Sequence, residues 1–327
     1  MTEAGAARPR LGTETIDGAD VRLHSAAGDG HFVIAAPGTD WLLGEIDVAP
    51  LADHTGRVSF SVEPWARGRG VATAAVRALT EHALAAGYAR MEMRTEFANT
   101  TAQRVALAAG YTREGVARAA TTDGDGTRQD VIVWARVAGD PPGPVPRYLP
   151  DLPGGELTDG VVRLSPMTAG DAAEVHPVRC APDVVANTVT RAVPTPAETA
   201  EYCARAGAVW LAGQGVRLTV RDAATGAFAG KAGLTVEDPG SGQAEIDYYL
   251  AAEWRGRGYA RRAVQLLCRW AFRHTGLERL VAGVHPENDA SRHVLERCGF
   301  VLEARERGRL PDGSGGRTDV VTYALLG

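Results

Sequence analysis

Apolar residues in this chain change rhythm twice, in the same order. HTGRVSFSVEP (54–64) and GQAEIDYYLA (242–251) alternate or run apolar, as strands do. Each leads through Arg-Gly-Arg-Gly into a stretch with helical spacing. In the second, Ala260, Ala263, Val264, Leu267, Trp270 and Ala271 recur at intervals of three and four, which puts them on one buried stripe. LERLVAGVH (277–285) then predicts a strand, and Ala290–Arg297 a short helix ended by Gly299. Each copy therefore predicts strand, loop, helix, strand, helix, strands.

The repetition extends along the chain. ETIDGADVRLHS (14–25) matches GELTDGVVRLSP (155–166), and NTTAQRVALAAGY (99–111) matches NDASRHVLERCGF (288–300). DGDGTRQDVIVWARV (123–137) matches DGSGGRTDVVTYALL (312–326). Arg67 to Arg255 is an offset of 188 and Asn99 to Asn288 one of 189, so the chain reads as tandem domains. Between them, residues 138–156 hold six prolines and four glycines and predict a linker. The division expected is a disordered N-terminus over 1–12, a first domain over 13–138, a linker over 139–155 and a second domain over 156–327. The copies differ in one respect. The second carries MTAGDAAEVHPVRCA (167–181) and TPAETAEYCARAGAVWLA (195–212), both helix-like, where the first has only AAGDGHFVIAAPG.

Composition narrows the chemistry. The chain has 327 residues, 45% apolar and 23% charged, with a net charge of −5, so no global field draws it to nucleic acid or an anionic membrane. Cys180, Cys203, Cys268 and Cys298 form no C-x-x-C pair and are expected as reduced thiols, with no metal site. The first residues lack the apolar core of a secretory signal, and no apolar run reaches the ~18 residues of a membrane span. A cytoplasmic protein is expected, with no nucleic-acid or membrane partner.

A strand feeding Arg-Gly-Arg-Gly and then a helix leaves backbone N–H groups without partners at the helix start. Glycines let that backbone approach a ligand and adopt positive φ. With the helix dipole this makes an anion site suited to a pyrophosphate. A Walker loop is excluded because neither copy has Gly-Lys-Ser/Thr.

Arg67-Gly68-Arg69-Gly70-Val71-Ala72 and Arg255-Gly256-Arg257-Gly258-Tyr259-Ala260 resemble the R/Q-x-x-G-x-G/A loop of the GNAT N-acetyltransferases. Asn288-Asp289-Ala290-Ser291 followed by RHVLERCGF resembles the second characteristic helix of that superfamily, in its RimJ/RimL-like branch. The resemblance implies an α/β class with two tandem units, each a V-shaped mixed sheet flanked by helices. It also implies acetyl-CoA, or another acyl-CoA, with its pyrophosphate on the loop amides. The implied activity is acetyl transfer to a primary amine.

That reaction needs a neutral amine, a polarised carbonyl and a stabilised thiolate. A lysine-like amine with pKa ~10.4 is neutral in about one part in 2,500 at pH 7, a cost of roughly 4.6 kcal/mol, so a base helps. The resemblance implies Glu245 as the candidate base, ten residues before Arg255 on the strand that enters the loop, where members of that superfamily often carry a base glutamate. Alternation puts Glu245, Asp247 and Tyr249 on one face, where two carboxylates can raise each other's pKa or Asp247 can recognise a cationic acceptor. Both can equally be solvated edge residues. By family analogy the backbone N–H near Leu250 polarises the carbonyl and Ser291 assists the leaving thiolate. Asn288 is a candidate pantetheine contact or simply a helix N-cap. His285 and His293 read as structural. The first copy has Arg57, Ser59 and Ala102 in place of Glu245, Asp247 and Ser291. It is expected to hold coenzyme A at most. A small-molecule amine is the expected acceptor, with a protein N-terminus or lysine, or a non-catalytic acyl-CoA-binding module, as the alternatives.

Overall fold

The computed structural model describes residues 15–26, 30–39, 41–122, 124–188, 191–312 and 315–327. The expectation of a disordered stretch over 1–12 lies outside the described residues. The chain divides into one unit ending at Pro146 and a second over Arg147–Gly327.

The first unit runs β1 (Ile16–Asp17), β2 (Arg22–Ser25), β3 (His31–Ala35), β4 (Leu42–Pro50), β5 (Thr55–Val62), α1 (Val71–Ala85), β6 (Arg90–Glu96), α2 (Thr100–Ala108), β7 (Thr112–Thr122) and β8 (Arg128–Val137). Its sheet has the order β1-β2-β3-β4-β5-β6-β8-β7. All neighbours are antiparallel except β5 and β6, whose connection through α1 makes them parallel.

The second unit starts with β9 (Leu157–Thr158) and β10 (Val162–Pro166), followed by four short helices. These are α3 (Ala172–Arg179), α4 (Pro182–Ala186), α5 (Pro196–Ala204) and α6 (Ala206–Leu211). Then come β11 (Gly215–Asp222), β12 (Phe228–Thr235), β13 (Gln243–Leu250), α7 (Tyr259–His274), β14 (Arg279–Val284), α8 (Asp289–Arg297), β15 (Val301–Pro311) and β16 (Arg317–Leu326). The sheet order is β9-β10-β11-β12-β13-β14-β16-β15, the first unit's topology repeated. The chain is therefore an α/β protein with two mixed sheets of eight strands each among the described residues.

The stripe read from the sequence forms the main core of the second unit. Ala263, Val264, Leu267, Trp270 and Ala271 of α7 are buried against Ala244, Ile246 and Leu250 of β13. The extra segment of this unit supplies four helices rather than two. The Thr195-Pro196 start is a complete capping box with Glu198. A second, smaller core of Met167, Val175, Cys203 and Ala206 lies under α3 and α5, with Tyr202 and Phe228 packed on it.

The proline-rich stretch is not a free tether. Val145 N–H donates to the Leu107 carbonyl in the first unit. Leu149 and Leu152 are buried in the second unit's core, and the Trp210 indole donates to the Pro150 carbonyl at 3.1 Å. Scattered leucines among prolines carry no periodicity, so the pattern alone hides this packing.

Candidate active site

The parallel pairing of β13 and β14 covers three residues and stops at Glu245↔Val281. Beyond that point β13 keeps only β12 as a partner, so its edge toward β14 carries ladder groups with no strand opposite. The two strands fork there. β5 and β6 part at the equivalent place, Arg57↔Glu92.

Glu245 sits at the fork of the second unit. A Cβ placed on Gly283 of β14 would lie 3.3 Å from its Oε1, so glycine leaves room for the carboxylate across the gap. Burial raises the Glu245 carboxyl above its ordinary value, against a hydrogen bond from the Gly283 N–H and the charge of Arg309. The carboxylate lines a cleft of about 360 Å³ with Gly283, Glu237, Arg309 and Thr322. That is the setting of a base poised nearer neutrality than a surface glutamate.

Asp247, on the same strand face, is held by a cation from the neighbouring strand. Lys231 of β12, 2% exposed, binds the Asp247 carboxylate. Lys231 faces Tyr249 in register while Asp247 faces Gly233, so the pair is diagonal. The lysine chain lies over Gly233, whose missing side chain makes the space. Burial is the largest influence on the Lys231 ammonium and works against it, but the charge and hydrogen bond of Asp247 together with Tyr202 leave the pKa raised. Burial leads the influences that raise Glu245, and the charge of Asp247 raises it only in a minor way. The sequence could not show this, because the lysine comes from the neighbouring strand.

On the opposite face of β13, the Tyr248 hydroxyl lies 2.8 Å from Ser291 Oγ and 3.2 Å from the Ser291 carbonyl. Tyr248 was missed as a site residue. Its only sequence signal is its place in AEIDYYL, on the core side by alternation. Ser291 is in the first turn of α8, whose N-cap Asn288 accepts from the Ser291 N–H at 3.1 Å. The Asn288 amide donates to Asn187 Oδ1 at 3.0 Å, so the capping role is realised and the side chain also faces the α4 segment. His285 Nε2 is held by Thr318 Oγ1 at 2.8 Å, beside Arg191, as befits a structural histidine.

The loop has the backbone that a phosphate cradle requires. Gly256 and Gly258 have φ of 71° and 79°, and a Cβ on either would meet nothing within 4 Å. The glycines are there for conformation, and the space in front of them is open. The N–H groups of Tyr259, Ala260 and Arg261 open α7 without helical acceptors. These residues fit a pyrophosphate.

The side chains of the loop are turned elsewhere. Arg255 donates to the Leu250 carbonyl at 3.1 and 2.8 Å and pairs with Asp183 of α4 at 2.6 Å. Arg257 lies over the Trp254 ring, and the Tyr259 hydroxyl donates to Asp222 at 2.5 Å. A contact from these residues to a phosphate thus rests on backbone, not on guanidinium charge.

The first unit repeats the cradle. Gly68 and Gly70 have φ of 73° and 80°, Arg67 donates to the Val62 carbonyl at 3.0 Å, and Asn99 caps α2 at the Ala102 N–H. Val71 and Ala72 open α1 as Tyr259 and Ala260 open α7. Arg69 sits between the two positive-φ glycines, as Arg257 does. Its fork is different. Arg57 takes the place of Glu245 and lies 3.9 Å from Glu92, which also accepts from Arg90. Phe60 and Ala102 replace Tyr248 and Ser291, so both hydroxyls are missing.

Two family models match the chain in tandem. One described as "Acetyltransferase (GNAT) family" matches residues 7–111, and one described as "Acetyltransferase (GNAT) domain" matches 162–301. The chain belongs to the GNAT acetyltransferases. Acetyl-CoA is the acyl donor of this family, and the loop described above fits its pyrophosphate. An N-acetyltransferase of Bacillus licheniformis, p20, is 34% identical over 116 residues, 36% of this chain and 65% of that protein. The chain spans 34–65% of the length of the curated relatives it matches. Among solved structures, Mycobacterium smegmatis RimJ in complex with CoA-disulfide is similar with 25% identity and a TM-score of 0.47, over 53% of this chain and 86% of that one. Spermidine N-acetyltransferase from Vibrio cholerae with CoA and spermine is similar with 21% identity and a TM-score of 0.47, over 51% and 96%. No helix among the described residues is long and apolar enough to cross a membrane.

Proposed function

We propose that the second GNAT unit moves an acetyl group from acetyl-CoA to the primary amine of a small molecule. The observation that carries this reading is the fork at Glu245, where a half-buried carboxyl with a raised pKa faces a cleft beside an unpaired strand edge. The cofactor supplies the thioester acyl group. Glu245 accepts the proton that the amine must lose. Backbone N–H groups along β13 toward Leu250 polarise the carbonyl. The Tyr248–Ser291 pair offers a hydrogen bond where the thiolate leaves. The loop amides from Gly256 to Ala260 hold the pyrophosphate, with Asn288 at the pantetheine side.

The short helices that the first unit lacks bring Tyr202 and Val209 to the lining of a second cleft of about 590 Å³ on the Glu245 face. A cleft of that size fits a small amine better than a folded protein surface. The first unit is a scaffold that has kept the cradle and lost the base and both hydroxyls.

The test is release of free thiol from acetyl-CoA in the presence of an amine panel. Wild-type chain should release it and Glu245→Gln should release it far more slowly. Equal rates for the two, or no amine-dependent release by either, would overturn the assignment.

A further inference from the structure

The larger cleft on the Glu245 face has two cationic side chains, Arg217 and Lys231, in its lining. It is lined by Tyr202, Arg217, Lys231 and Asp247, and it shares Thr235 and Glu237 with the cleft at Glu245. Tyr202 is held between two guanidinium groups, with Arg217 at 3.9 Å and Arg179 at 4.2 Å from the ring centroid. Arg217 donates to the Tyr202 carbonyl at 2.7 Å. Among the described residues neither arginine has a carboxylate at ion-pair distance, and Glu198, whose charge Arg179 feels, is committed to the capping box with Thr195. Lys231 and Arg217 thus line this cleft together with Asp247, Glu237 lies on the side shared with the Glu245 cleft, and Arg179 touches the lining through the Tyr202 ring.

The hydrogen-bond inventory is unbalanced in the same sense. An ammonium carries three donors. Among the described residues Asp247 is the one hydrogen-bond acceptor that Lys231 has, although the lysine is 2% exposed. The hydroxyl of Tyr249, opposite Lys231 in register, is buried with no partner. Buried donors without acceptors are costly and uncommon. A bound group rich in acceptor oxygens and carrying negative charge resolves both deficits.

We propose that this cleft recognises an anionic group on the acceptor, so that the substrate class is an amine with a carboxylate several bonds away, such as a short peptide or an ω-amino acid. Asp247 and Glu245 are two residues apart on one strand face, about 7 Å. An amine at Glu245 and an anion at Lys231 are then separated by roughly the length of a dipeptide. The inference rests on the transfer reading and adds to it what the acceptor must carry. A dicationic polyamine is disfavoured, since its second charge would meet Lys231 and Arg217.

The experiment offers dipeptides as free acids and as C-terminal amides to the full chain with acetyl-CoA. The free acids should have kcat/KM about ten-fold or more above the amides. In Lys231→Met and Arg217→Gln that ratio should fall toward one. Equal use of the two forms, or preference for the amides, overturns the proposal while leaving the transfer reading intact. If neither form is acetylated, the transfer reading fails for this class, and thermal shift with N-acetyl dipeptides decides the pocket separately. Stabilisation by the acids and not the amides, lost in Arg217→Gln, supports it, and no difference overturns it. Tyr249→Phe, which removes only an unpartnered hydroxyl, serves if Lys231→Met does not fold.

Discussion

Tyr248 on β13 and Ser291 on α8 meet through their hydroxyls at 2.8 Å, joining strand to helix on the face away from Glu245. Burial pushes the Tyr248 phenol up to about 12, against the hydrogen bond to Ser291, so it stays protonated and can donate. A tyrosine donating to Ser Oγ leaves the serine proton free for a nearby sulfur. A thiol has pKa ~8.5, so the leaving thiolate gains only modestly from that bond. Ser291→Ala and Tyr248→Phe should each lower kcat by about ten-fold or less. The double variant should be little worse than either single one, because the hydroxyls act in series. Additive losses in a double-mutant cycle would show that they act apart.

With Glu245 as the proposed base, its carboxyl should set the acid limb of the pH profile. Its raised pKa means that the base form appears only above the usual carboxylate range near 4.3. kcat/KM should rise with pH through an apparent pKa above that range, and Glu245→Gln should lose the limb along with roughly 10²–10⁴ of rate. Stability moves the opposite way. Between its unfolded and folded pKa values the folded chain holds more of the proton, so stability falls as pH rises across that window. Glu245→Gln should therefore be at least as stable as wild type at pH 7, and a lower Tm would argue that the carboxylate is structural.

Gly258 separates cradle from scaffold. Its φ of 79° and the open space in front of it mean that a side chain strains the backbone without clashing. Gly258→Asp should cost about 1–2 kcal/mol in stability and put a negative charge at the anion site. Acetyl-CoA affinity should fall much further than Tm implies. Loss of affinity in proportion to unfolding alone would return the loop to a plain turn.

Arg57 gives the converse test. Its ion pair with Glu92, at 3.9 Å, is long and partly exposed and contributes about 1 kcal/mol or less. Arg57→Ala should leave thiol release within two-fold of wild type if the second unit does the chemistry. A large loss would make the first fork part of the reaction.

Glu245 was singled out through the family resemblance, whereas the tandem repeat, the order of elements and the two glycine loops were legible from the chain itself. They depend on local rules: a period of two or of three to four residues, and glycines where φ must be positive. The changed first fork was legible in part, because Arg57 and Ala102 stand at fixed offsets from Glu245 and Ser291. The partners of those residues were not. Lys231 reaches Asp247 because strand register sets it diagonally across Gly233, and Tyr248 meets Ser291 because α8 comes against the face of β13 opposite Glu245. Register and helix placement are fixed by which faces the whole sheet must bury, so residues 16 and 43 positions apart become neighbours only when the fold closes.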